Sequence, residues 1–304
     1  MAHAHHDHHH HAGISRKLIA ATVLTSLFII LELIVGFAAS SLALIGDALH
    51  NFTDVLALVI ALVAVRLERR PATHEKTYGY QRAGILAAFI NAGSLVAFTA
   101  FLFVEAFNRF RHPQPVDSGW MLLVAAVAVI MNLGIGLALR RDGKHDINIR
   151  SAVIHQLGDA LSAVGIIIAA LLIRRTGSPL WDPAVSVAIG VLILWSSWGV
   201  LREAVNLLLE GTPSGIDPAA VTRALEAIPG VSGAHHVHIW ALGPSSSALS
   251  CHLMVGDVPI RSTAKMLDQV TEMLQREYRI VHTTVQFEFA ECADDDPYCI
   301  PWQR

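Results

Sequence analysis

Residues 41–65 read SLALIGDALHNFTDVLALVIALVAV. On a helix of 3.6 residues per turn, His50 and Asp54 are four apart and Asp47 lies three before His50, so all three polar side chains share one face of an otherwise apolar segment. A helix rises about 1.5 Å per residue and needs roughly 20 residues to cross the hydrocarbon of a bilayer, a length this stretch reaches. Ionisable groups in such a helix turn away from lipid toward other helices or water. The stretch therefore predicts a helical membrane bundle with acid and imidazole groups in its interior.

Working outward, six stretches have the required length: Lys17–Ala39, Ala43–Val65, Ala83–Phe107, Gly119–Leu139, Ser151–Ile173 and Pro183–Leu208. The whole chain is 53% hydrophobic and only 15% charged over 304 residues, too apolar for a soluble domain. Its formal net charge of -3 leaves no basic surplus, which excludes nucleic acid as a partner. Lys and Arg are unevenly divided between the helix ends. One side collects Arg16, Lys17, Arg66, Arg69, Arg70, Lys76, Arg82, Arg140, Arg141, Lys144 and Arg150, against Arg109, Arg111, Arg174 and Arg175 on the other. The richer side is the cytoplasmic one, so both termini are expected there, in a multi-pass protein of the plasma membrane.

Ahead of the first segment, residues 1–15 hold seven of the 17 histidines and lack the apolar core of a signal peptide. The run reads either as a floppy, weak metal-gathering segment or as an appended affinity tag, and its interruption by Ala4 and Asp7 favours the former. After Glu210 the texture changes to GTPSGIDPAA, which sets the end of a transport region spanning 16–210. Residues 211–290 then alternate two helical patterns with three strand patterns in the order αββαβ, for which an antiparallel sheet is the simplest packing. The last stretch, 291–304, carries Cys292 and Cys299 around ADDDPY. Three cysteines form no disulfide framework, and this pair reads as free thiols, a loose metal cap or part of an unstructured tail.

The fifth segment repeats the decisive spacing: His155 and Asp159 are also four apart. Two imidazoles and two carboxylates from separate helices can thus converge. Three aspartates deep in hydrocarbon cost roughly 9 kcal/mol together, a penalty a bound cation offsets. Neutral imidazole and ionised carboxylate in tetrahedral number suit zinc, with Asp47 a group behind the ligands. A His-Glu-x-x-His hydrolase motif is missing, which argues against an enzyme. A metal-gated passive channel would need weaker ligands than a closed set of four.

The segments SLALIGDALHNFTD, TYGYQRAGILAAFIN, HQLGD, GVSGAHHVHIWAL and HTTVQFE resemble the cation diffusion facilitator family, in its zinc-transporting branch. The resemblance covers nearly the whole chain. It implies a homodimer with six spanning helices per chain, a cytoplasmic metallochaperone-like αββαβ domain, and exchange of metal for protons. The transport site it implies is His50, Asp54, His155 and Asp159, and the two histidines point to zinc, with cadmium or cobalt as alternatives. It also matches His235, His252, His282 and Glu288 to positions that bind metal in some relatives. His282 and Glu288 lie on one face of a strand and could act together, with His235 and His252 on neighbouring strands. His236 and His238 read as fold or surface residues. The ligands some relatives carry in the loop after the second segment are replaced here by Lys76 and Tyr80. Arg82 and Glu210 match a charged pair of the family.

Overall fold

The structure is a computed structural model that describes the backbone of residues 7–142 and 147–289 and the side chains of residues 22–140, 150 and 152–289. Six long helices come first: α1 (Asp7–Ala38), α2 (Leu42–Glu68), α3 (Ala83–Arg111), α4 (Ser118–Asp142), α5 (Ile147–Thr176) and α6 (Trp181–Leu208). Among the described residues, α2 to α6 contain 5 stretches long and apolar enough to span a membrane, and Thr22–Ala38 of α1 is a shorter apolar stretch. Side chains such as Phe37, Ile130 and Trp195 are exposed. Such exposure would invite aggregation in water but is what contact with lipid tails requires.

The first segment is longer than expected. Residues 7–15, read above as an unfolded run, continue α1 as helix, because extending an existing helix adds one hydrogen bond for each residue fixed. The 32 residues of α1 span about 48 Å and so overrun the hydrocarbon. Residues 1–6, the 143–146 link and the Cys292 and Cys299 tail lie outside the described residues.

The chain divides into two compact units, residues 1–59 with 91–198 and residues 60–90 with 199–304. The first unit packs around Phe28, Leu44, Leu95, Met121, Ile166 and Ile189. Helices α3 and α6 approach closely at Gly190, where a Cβ would stand 2.6 Å from Phe103 Cε1 and 3.1 Å from Thr99 Cγ2. At the start of α2, Asp182 of α6 accepts hydrogen bonds from Leu42 N (2.7 Å), Ala43 N (3.2 Å) and Ser41 Oγ (2.7 Å). Ser41 in turn accepts from Leu44 N through its hydroxyl and from Ile45 N through its carbonyl. Ile45 N to Ser41 O is the first bond of the helix itself, and Ser41 N donates to Gly36 O, so the four amides that lack a partner inside the helix, Ser41 to Leu44, are all satisfied. Arg109 of α3, held by Glu105, reaches both Ser40 O and the fully buried Asp182.

The second unit contains α7 (Pro218–Glu226), β1 (Val231–Gly243), β2 (Ser246–Val255), α8 (Ile260–Tyr278) and β3 (Ile280–Glu288). Asp217 caps α7 by accepting from Ala219 N, with Pro218 at the first helical position. Val221 and Leu225 of α7, Val270 and Leu274 of α8, and Leu249, Leu253 and Ile280 of the sheet form its core. The αββαβ order is as expected, but the sheet is mixed: β1 and β2 pair antiparallel while β2 and β3 run parallel. The reason is topological, since α8 carries the chain from the end of β2 back to its start, and such a crossover makes the next strand parallel. In the same unit the loop after α2 meets this domain. Ser246 Oγ donates to Gln81 Oε1 at 3.1 Å, and the Tyr78 ring lies edge-on to His282 at 5.4 Å. The pair Arg82 and Glu210 forms at 3.2 Å between exposed side chains, which limits its worth to about 0–1 kcal/mol.

Cys251 sits in the domain core, 1% exposed, and burial pushes its thiol up to about 12. Only thiolate is alkylated at an appreciable rate. Iodoacetamide at pH 8 should therefore modify Cys251 about a thousandfold more slowly in the folded chain than after unfolding. Peptide mapping by mass spectrometry checks this, and equal rates in both states would contradict the packing.

Candidate metal centre

The four residues expected to converge in the membrane do so. His155 Nε2 stands 3.3 Å from Asp54 Oδ2 and 3.6 Å from Asp159 Oδ2. His50 Nε2 stands 3.7 Å from Asp54 Oδ2 and 4.0 Å from Asp159 Oδ1. The two imidazole rings meet at 69° with centroids 6.3 Å apart. Two ligand atoms about 2.0–2.1 Å from one tetrahedral zinc are about 3.3 Å from each other, so these four imidazole-to-carboxylate separations run from that value to about 0.7 Å beyond it. The one-turn spacing on α2 and α5 sets the geometry: each helix contributes one imidazole and, four residues later, one carboxylate. The side chains grade from Asp159, 7% exposed, to His155, 49% exposed. One rim of the cluster is thus open and the other closed.

Behind it lie groups that spacing alone does not reveal. Asp47 is 1% exposed and accepts from Asn51 Nδ2 at 3.4 Å, while its Oδ1 is buried without a partner. Glu32 of α1 is 0% exposed, and neither of its carboxylate oxygens has a hydrogen-bond donor. A search for zinc-ligand spacing passes over Glu32, although an acid in the run FIILELIVGF is itself a signal in a spanning helix.

A second cluster forms on the sheet of the second unit. His235 and His252 are cross-strand partners on β1 and β2. Glu288 of β3 bridges them, with Oε2 3.1 Å from His235 Nε2 and Oε1 2.9 Å from His252 Nδ1. These three offer one ligand atom each within 4.8 Å of one another. His282 does not join them. Its backbone pairs with Ala248, six residues along β3 from Glu288, and at about 3.3 Å per residue that is roughly 20 Å away on the same face. The shared face is real, but a strand separates what a helix would bring together.

His236 takes a place near the cluster instead. A bulge between His235 and His238, with φ of 51° at His236, interrupts the alternation of β1. The His236 ring stacks on His252 at 4.6 Å and meets His235 at 5.0 Å. Burial and the neighbouring His252, His235 and His238 lower its pKa and favour the neutral imidazole. The sequence reads His236 as a fold or surface residue, since no local residue type announces the bulge.

The chain matches the cation efflux transmembrane domain over residues 18–209 and the cytoplasmic domain of cation efflux proteins over residues 213–290. It is 41% identical to the zinc transporter ZitB of Pectobacterium atrosepticum, over 96% of this chain and 91% of that one. It is 38% identical to the metal cation efflux system protein CzcD of Cupriavidus metallidurans, over 96% and 92%. With the cadmium, cobalt and zinc/H(+)-K(+) antiporter of Bacillus subtilis it shares 35% identity over 92% and 91%. Both domains are matched in order and the relatives are covered over nearly their full length, so the chain belongs to the cation efflux family.

Proposed function

We propose that the protein exports zinc, or cadmium or cobalt through the same site, from the cytoplasm in exchange for protons by alternating access. The observation that carries this reading is the convergence of His50, Asp54, His155 and Asp159, each imidazole standing 3.3–4.0 Å from both carboxylates. Charge balance supports the exchange. A divalent ion held by two carboxylates and two neutral imidazoles is neutral overall, and so is the same cluster with both imidazoles protonated. Swapping one ion for two protons thus leaves no net charge in a medium that penalises it. Histidine is the natural carrier, because its reference pKa of about 6.5 lies near cellular pH. An acidic exterior then loads protons, and the cytoplasmic side exchanges them for metal. The names of the relatives, which include a zinc transporter and a cadmium, cobalt and zinc/H(+)-K(+) antiporter, agree with this substrate class.

The working unit in this reading is a homodimer in the plasma membrane, with both termini cytoplasmic as the Lys and Arg distribution favours. His235, His252 and Glu288 bind a further zinc that regulates the transporter, and Asp47 supports the transport site without ligating the ion.

Asp54→Ala or Asp159→Ala should abolish zinc flux in proteoliposomes while leaving insertion intact, since each removes half the charge that neutralises the ion. Wild-type flux in both would remove the basis of the transport site. His50→Asp should shift the zinc to manganese flux ratio toward manganese, because an oxygen donor favours the harder cation. An unchanged ratio would speak against His50 as a ligand. In the cytoplasmic cluster, His252→Ala should lower the zinc bound per chain, measured by plasma mass spectrometry, whereas His282→Ala should leave it unchanged. The opposite pattern would return His282 to the ligand set.

A further inference from the structure

Glu32 is the one ionisable side chain of α1 between residues 22 and 38, and it is completely buried with both oxygens unpartnered. No basic side chain pairs with it among the described residues. The groups that face it are acids: Asp47 of α2 lies within hydrogen-bonding reach, and Asp159 of α5 faces it from farther off. Two ionised carboxylates in contact, away from water, repel each other and lack any donor. A single proton between them converts that repulsion into a hydrogen bond, with one carboxyl donating and the other accepting.

We propose that Glu32 is a proton carrier of the exchange, holding with Asp47 one proton that leaves when zinc enters the four-residue site and that takes the place of one of the two imidazole protons, so that one ion still exchanges for two protons. The inference rests on the metal-for-proton reading of that site. His50 follows Asp47 by three residues, about 4.5 Å of helix rise. A divalent charge arriving there favours ionised carboxylates on the adjoining turn. The proton passes to water on the side that delivers zinc, and one from the opposite side replaces it after zinc departs. No bond other than the O–H is made or broken.

The test is calorimetric titration of the purified full-length chain with zinc in two buffers of different ionisation enthalpy, which gives the protons displaced per chain. Glu32→Gln keeps the shape of a protonated carboxyl but cannot ionise, and it should displace about one proton fewer than the natural chain. Protons released at other zinc sites cancel in this difference. Equal displacement would overturn the role of Glu32 while leaving the exchange itself standing. If the natural chain displaces none, the metal-for-proton reading fails and Glu32 fails with it. Should Glu32→Gln not fold, Glu32→Asp, which alters the position of an ionisable group, should move the pH of half-maximal zinc flux in proteoliposomes. An unmoved pH profile would again overturn the proposal.

Discussion

A carboxylate placed in hydrocarbon must be neutralised, hydrogen-bonded or opened to water, because leaving it bare costs several kcal/mol. The membrane half of this protein meets that constraint in three different ways. Asp182 is fixed by backbone amides, a serine hydroxyl and an arginine, and so serves structure. Asp54 and Asp159 face imidazoles. Glu32 and Asp47 face each other. What stands opposite each carboxylate therefore differs: donors that fix it, imidazoles, or a second acid.

What could be read from the sequence follows from which partners are local. His50 with Asp54 and His155 with Asp159 are one helical turn apart, so the 3.6-residue period exposes them, and lipid-length apolar runs expose the helices that carry them. The partners of Glu32 and Asp182 lie 15 and 140 positions away in the chain, the latter separation being that between Asp182 and Leu42. Periodicity is blind to such distances. Helix ends were blurred for a related reason: α3 runs on to Arg111, where hydropathy stops near Phe107, since a helix leaving the hydrocarbon keeps its own hydrogen bonds.

In the second unit the order of elements was legible from alternation and caps, but two consequences of strand geometry were not drawn from it. The β2, α8, β3 succession already implied a parallel pair, because a helix of 19 residues returns the chain to the same end of the sheet. Likewise, a common face on a strand says nothing of proximity, which is why Glu288 meets His235 and His252 while His282 meets Tyr78. The bulge that brings His236 to His252 has no signature among its own residues. It depends on the register that β1 adopts against β2.

The cap on α2 also bears on how the chain is made. Ribosomes deliver roughly 5–20 residues each second, so the 140 residues separating Leu42 from Asp182 correspond to about 7–28 s of synthesis. Throughout that interval the first amides of α2 are without the carboxylate that later receives them. Until α6 is made, those amides must find another acceptor, such as water at the membrane face. The start of α2 is thus completed only by the last of the six long helices to be made.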